Sequence, residues 1–284
     1  VARHRDVAWV ERPRMGSAPP RLVLAPIDVA APVADTLLSG TAAVLTSATL
    51  ALGGSFDPMA RTLGLTLSED PWEGLDVGTP FDYSRQGILY TPTPLPRPAA
   101  GISEAALDEV LALTEASGGG VLGLFSSRRA AQEAAEVLRG ATDLTVYAQG
   151  EDQLPTLVEA FTREEDSCLV GSLSLWQGVD VPGHTCRLVI IDRIPFPRPD
   201  DPVAQARIEA VTAAGGNGFM SVAATHAALL LAQGAGLVAV LDPRLRTARY
   251  GAFLARSMPP LWPTRDRATV LGALERLAAS RRNP

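Results

Sequence analysis

From residue 103 onward, short runs of wholly apolar residues alternate with longer segments of helical periodicity, and this alternation restricts the fold more than any other feature of the chain. Leu107, Val110 and Leu111 share one helical face behind Ser103, a suitable N-cap, and three glycines at 118–120 end that helix. The apolar runs at 121–125, 144–147, 168–171, 188–191 and 238–241 read as strands. Helices are expected between and after them, over 126–139, 154–161, 203–213, 219–233, 248–256 and 268–279. Strands that are apolar at every position and joined by helices belong to a parallel sheet with helices on both faces, an α/β fold. In such sheets ligands sit at the carboxyl ends of strands. The segments after Leu45, Phe125, Gly171, Ile191 and Leu241 therefore carry the functional interest.

The first hundred residues are less regular. Residues 1–20 are polar, contain prolines and show no periodicity; 22–27 reads as a strand and 34–38 as a short helix. A second apolar strand is expected at 42–45, running into Thr46-Ser47-Ala48-Thr49-Leu50, and another helix at 56–63. Residues 70–100 are rich in Pro, Gly and Asp and read as a linker around one strand, 88–90.

Composition excludes several classes. All 25 basic residues are arginine, so the chain has no lysine and cannot form a P-loop, whose lysine reaches the β- and γ-phosphates. A net charge of −6 leaves no overall nucleic-acid footprint, although a local arginine-lined groove depends on placement and not on the sum. Two cysteines, Cys168 and Cys186, make neither a disulfide framework nor a four-cysteine metal site; both read as strand-core residues, and no metal site is expected. No apolar run is long enough to span a bilayer and no signal segment leads the chain, so a cytoplasmic protein without membrane contact is expected. The start at Val1 reads as a fragment of a longer polypeptide.

Two glycine patterns, Gly118-x-Gly120-x-x-Gly123 and Gly234-x-Gly236-x-x-Ala239, match the spacing of dinucleotide fingerprints. Each follows a helix and enters a strand, the reverse of the order that brings phosphate to a helix N-terminus, so both read as helix C-caps. This opposes a dinucleotide-binding oxidoreductase. Ser47 and Thr49 end an apolar run and either relay hydrogen bonds to a phosphate-proximal site or satisfy a turn. Ser126-Ser127-Arg128-Arg129 lies where a strand enters a helix; it makes either a phosphate clamp or an N-cap with solvated arginines. The segment 172–183 is the densest candidate: Gln177, Gly178 and Asp180 lie just past a strand end, where glycine admits close backbone approach and Asp180 can accept from a ribose hydroxyl or orient a metal-bound water. The same residues also suit a plain tight turn. Trp176 either stacks on a base or packs in the core, and His226, alone on an apolar helix, reads as a packed histidine.

Taken in order, these segments resemble the DinG/XPD branch of superfamily 2 helicases, and the DinG type most closely. VLTSATL at 44–50 is similar to motif III, GLFSSRRAA at 123–131 to motif IV, GSLSLWQGVDVPG at 171–183 to motif V, and LLLAQGAG at 229–236 to the start of motif VI. VIIDRIPFPRPDDP at 189–202 is similar to the segment that links V to VI, and VAVLDPRL and YGAFLARSMPP to the closing segments. The resemblance implies a RecA-like second motor domain over 87–284, preceded at 1–86 by the tail of the first motor domain and the crossover. It implies ATP and Mg²⁺ held between two such domains and movement 5′ to 3′ along single-stranded DNA. By position, Gln233 and Gly236 serve catalysis, Gln177, Gly178 and Asp180 line the nucleotide cleft, and Ser47 and Thr49 couple nucleotide state to DNA grip. Ser126, Ser127, Arg128, Arg129, Ser174 and Trp176 are the DNA-side candidates.

The chain departs from the pattern in two ways. Walker A, the acidic motif II box and the four cysteines that hold an iron–sulfur cluster in the family are absent; they would belong to an N-terminal half of the same polypeptide. Motif VI stops short: Gly236 is followed directly by Leu237-Val238-Ala239-Val240, with no R-x-x-R. Either the arginines are deleted or the natural chain carries them in a stretch missing from this numbering. Two readings compete, a wall of an ATP-driven helicase and a non-catalytic module that binds single-stranded nucleic acid.

Overall fold

The computed structural model describes residues 6–12, 19–47, 49–78, 82, 87–92, 95–96, 101–176, 179, 181, 185–232, 237–241 and 262–282. The chain forms two compact units, one from Val1–Thr79 with Phe196–Gln233, the other from Pro80–Pro195 with Gly234–Pro284.

The larger unit is a seven-stranded sheet. Its strands are β3 (Ile88–Tyr90), β4 (Val121–Phe125), β5 (Thr145–Ala148), β6 (Ser167–Ser172), β7 (Leu188–Ile191), β8 (Leu237–Val240) and β9 (Trp262–Thr264), in the spatial order β5-β6-β4-β7-β8-β3-β9. All pairings are parallel. The helices of this unit are α3 (Glu104–Ser117), α4 (Arg128–Ala141), α5 (Leu154–Arg163) and α8 (Arg267–Arg282). Val121 and Phe125 of β4 join a core with Val110 and Leu113 of α3, Ala134 and Leu138 of α4, and Val270 and Leu274 of α8. Leu122 and Leu124, turned to the opposite face by the strand period, are buried as well. On α5, Leu157 and Phe161 are buried outside that first core. Burial of both faces is the physical content of the wholly apolar strand runs.

The local signals work as their chemistry requires. The Ser103 hydroxyl accepts from the Ala106 N–H at 3.2 Å and starts α3. Gly118, at φ 60°, ends it in the left-handed region that a side chain disfavours. The connection from Gly118 to Gly120 is thus a C-cap, as its order in the sequence demanded. Arg187 then covers this end: its guanidinium donates to the carbonyls of Ser117 at 3.3 Å and Gly118 at 3.1 Å.

The smaller unit contains an antiparallel pair, β1 (Asp6–Glu11) and β2 (Arg21–Pro26). It also holds α1 (Ala30–Val33), α2 (Asp57–Thr62), α6 (Pro202–Ala213) and α7 (Thr225–Ala232). A π-helical stretch, Ala34–Leu38, continues α1, and another, Phe219–Ala224, precedes α7.

Three sequence expectations need correction. Residues 42–45, expected as a strand, form none; they are exposed, Val44 at 90%. An apolar run pairs only where neighbouring strands exist, and among the described residues this unit offers only the β1–β2 pair. The first twenty residues contain β1, whose Ala8 and Val10 alternate with half-buried Val7 and Trp9, a period-two pattern hidden among charged residues. His226 is exposed, while its helix neighbours Ala227 and Ala228 are buried. The helix expected at 248–256 lies outside the described residues. Strand β9 carries Pro263 between two residues paired to β3, a proline tolerated because β9 is the edge of the sheet.

One buried polar group ties α8 to the sheet. Glu109 of α3 accepts from the Tyr90 hydroxyl at 2.8 Å and from Arg267 Nε at 2.9 Å, and both Glu109 and Tyr90 are buried. Replacing Glu109 by Ala leaves the phenol without its partner in the interior. The expected cost is about 2 kcal/mol, discounted for the half-exposed Arg267, read as a lowered urea midpoint with unchanged slope. Tyr90→Phe in the same background should cost little more, because the two losses share one interaction.

Candidate nucleic-acid interface

The carboxyl ends of β5, β6, β4 and β7 lie side by side; β6 ends in a polar residue and the other three are each followed by one. Gln149 follows β5 and its Oε1 accepts from the backbone N–H and the hydroxyl of Ser172 at the end of β6, both at 2.9 Å. Ser126 follows β4 and donates its hydroxyl proton to Asp192 Oδ2 at 2.8 Å; Asp192 follows β7. The Asp192 N–H continues the ladder to the Leu124 carbonyl at 3.1 Å. Farther along the same edge Thr91 follows β3, buried at 2% exposure, and its hydroxyl oxygen has no partner among the described residues.

The β4–α4 turn sorts the four residues singled out at 126–129. Ser127 is the N-cap, extended at φ −151° and ψ 157°, and its hydroxyl oxygen accepts from the Ala130 N–H at 3.1 Å. Its hydroxyl proton remains to donate. Ser126 faces inward to Asp192. Arg129 is tied to Glu133 at 2.8 Å, one turn along α4. Arg128 is exposed and makes no ion pair among the described residues. The positive end of the α4 dipole, a serine hydroxyl and one uncommitted guanidinium therefore meet at this turn, a combination suited to a phosphate.

Other candidates fall elsewhere. Ser174 and Trp176 belong to a short 3-10 turn, Leu173–Trp176, directly after β6, with Leu175 buried between them; their side chains lie outside the described residues. Gln177, Gly178, Asp180, Gln233 and Gly236 also lie outside the described residues. Ser47 and Thr49 belong to the smaller unit, where the Ser47 oxygen accepts from the Thr49 N–H at 3.2 Å and the two hydroxyls are 3.3 Å apart. That is a self-satisfied hydroxyl turn. Cys168 is fully buried in β6, and burial pushes its thiol up to about 12. Among the described residues no group of three or more His, Cys, Asp and Glu is placed to hold a metal, and no helix is long and apolar enough to cross a membrane.

Sequence reasoning pointed to the segment after Ile191 but did not single out Asp192 within it. Its signal was available, an acidic residue directly after the wholly apolar run 188–191, where a buried strand end leaves it little water. Asp192 is 5% exposed, and burial raises its carboxyl above the ordinary value of 3.8, against the Ser126 hydrogen bond and Arg193, 4.0 Å away. Its Oδ1 has no hydrogen-bond partner among the described residues.

A parallel sheet with its polar residues gathered on the carboxyl edge defines an α/β domain of the ligand-handling type. The chain belongs to the helicase C-terminal domain family, whose model matches residues 110–261, and its fold is the RecA-like fold of a second helicase motor domain. It is 52% identical to the ATP-dependent helicase DinG of Mycobacterium tuberculosis strain H37Rv, over 96% of this chain and 43% of that protein. It is 34% identical to the ATP-dependent DNA helicase YoaA of Escherichia coli K12, over 88% of this chain and 41% of that one. The chain thus spans less than half the length of the curated relatives it matches. A solved structure of XPD in its apo form is similar at 15% identity and a TM-score of 0.40, over 64% of this chain and 40% of that one. The alignment with the mycobacterial relative runs to 286 residues while covering 96% of a 284-residue chain, so that relative carries residues this chain lacks.

Asp192 makes a pH prediction. Its folded carboxyl holds a proton more tightly than the unfolded one, so the stability linked to it is full below 3.8 and is lost as pH rises through the raised value. In thermal unfolding, wild type should therefore fall behind Asp192→Asn as pH climbs from mild acid to neutrality. A constant offset between the two across that range would contradict a carboxylate penalised by burial.

Proposed function

We propose that this chain is the C-terminal part of an ATP-dependent 5′–3′ DNA helicase and supplies one wall of the ATP cleft and part of the single-stranded DNA track. The observation that carries this reading is the meeting of Ser127, Arg128 and the α4 N-terminus on the carboxyl edge of the sheet, in a member of the helicase C-terminal family. The helicase names printed for the relatives support it. In this proposal residues 1–86 are the tail of the first motor domain with the crossover, and 87–284 are the second. Gln233 and Gly236 face the transferred phosphoryl group, Gln177, Gly178 and Asp180 line the nucleotide cleft, and Ser47 and Thr49 couple it to DNA grip. Ser126 to Arg129, Ser174 and Trp176 lie on the DNA side. ATP and Mg²⁺ are shared with an N-terminal half of the polypeptide, which would also carry any iron–sulfur cluster. A cytoplasmic location and service in DNA repair accompany the reading.

A second reading has its own support. The chain has no lysine, and residues 232–237 pass from α7 to β8 without the R-x-x-R that the resemblance calls for, in a sequence that is continuous there. A deletion at this point favours a non-catalytic module that holds single-stranded nucleic acid, since those arginines would stabilise charge on the phosphoryl group.

Two measurements test these readings. The purified chain should show no ATP hydrolysis above background, with or without single-stranded DNA and Mg²⁺, because the phosphate-cradling lysine is missing; DNA-stimulated turnover would sink the half-motor reading. It should bind an oligothymidine weakly and with salt dependence. Arg128→Ala should weaken that binding and lower the salt slope by roughly one, and Arg129→Ala, already committed to Glu133, should do less. Equal and negligible effects would reduce both arginines to a solvated helix face.

A further inference from the structure

We infer that Asp192 is a positioning residue that withdraws Ser126 from phosphate contact and weakens the hold of the β4–α4 turn on a strand, leaving the grip to Ser127 and Arg128. The inference rests on the DNA-track reading above and concerns how that track is tuned. Ser126 has a single hydroxyl proton, and it goes to Asp192 Oδ2 at 2.8 Å across 66 residues of sequence. A hydroxyl so engaged offers only lone pairs outward, and these repel a phosphate oxygen. Beneath it lies a carboxylate whose side chain is 3% exposed, so water screens its charge poorly. Its single neighbouring cation among the described residues, Arg193, stands 4.0 Å from Oδ2 and also donates to the Gly101 carbonyl, so it neutralises the carboxylate incompletely. Oδ1 has no hydrogen-bond partner among the described residues. The Ser126 hydroxyl, together with the backbone N–H groups of Ser126 and Arg193, holds the carboxylate beside the turn where the α4 dipole and Arg128 attract an anion. Ser127 is unaffected: its oxygen is occupied by the Ala130 N–H and its proton stays available.

The test compares the whole chain with Asp192→Asn, Asp192→Glu and Ser126→Ala by fluorescence anisotropy on an oligothymidine at fixed salt, with circular dichroism to establish folding. Removing the charge in Asp192→Asn is expected to tighten binding roughly ten-fold, the scale of one nearby like charge at a partly screened site. Asp192→Glu retains the charge and should stay near wild type, which a merely structural effect of disturbing the pocket would not do. Ser126→Ala strips the buried carboxylate of its hydroxyl donor and should not weaken binding, whereas loss of a serine that donates to phosphate would. If wild type binds and Asp192→Asn binds no tighter, or Ser126→Ala loses binding, the role assigned to Asp192 is overturned while the DNA track stands. If no variant binds, the inference falls together with the reading beneath it. Should Asp192→Asn not fold, the Ser126→Ala result decides alone.

Discussion

The parallel sheet is the constraint on which everything else in the larger unit depends. Each parallel strand must return to the same end through a crossover, so helices necessarily cover its faces and the strands become apolar at every position. Polar chemistry is then confined to the strand ends. At the amino end the structure uses polar groups for closure, as in the Arg187 guanidinium over the last carbonyls of α3. At the carboxyl end it gathers Gln149, Ser172, Ser126, Asp192 and Thr91. The same geometry that buries the sheet also collects the candidate site along one edge.

Within that edge, neighbouring polar groups are not equivalent. Ser126 and Ser127 are adjacent in sequence, yet one donates inward to a buried carboxylate and the other caps a helix and keeps a proton for the outside. Arg128 and Arg129 divide similarly, one uncommitted and one paired along the helix. A motif of two serines and two arginines is thereby reduced to one hydroxyl, one guanidinium and a helix terminus. Asp192 adds a negative charge where the motif alone would place only positive ones.

The elements easiest to find in the sequence were those whose stability is local or whose pattern is complete. Helix α3 shows its cap, its face and its glycine stop within eighteen residues of chain, and the structure reproduces each. Strands β4, β6 and β7 carry uninterrupted apolar runs, which need no context to be seen. The failures share a different cause. Residues 42–45 have the same pattern yet form no strand among the described residues and are exposed, because a strand exists only where partners stand beside it. His226 sits in an apolar stretch but on the outer side of its helix, a rotation that composition does not fix.

The sequence by itself determined the α/β class, the absence of a P-loop lysine and the family, through the order of segments from Gly123 to the end. These depend on residue type and spacing, which are local properties of the chain. Tertiary structure alone decided the strand order β6-β4-β7, and with it the meeting of Ser126 and Asp192 across 66 residues. It also decided that a run resembling a strand is none, and that Glu109 receives both Tyr90 and Arg267. Hydrogen-bond partners in a parallel sheet are set by which strands become neighbours, and a crossover connection leaves that choice open until the whole core has packed.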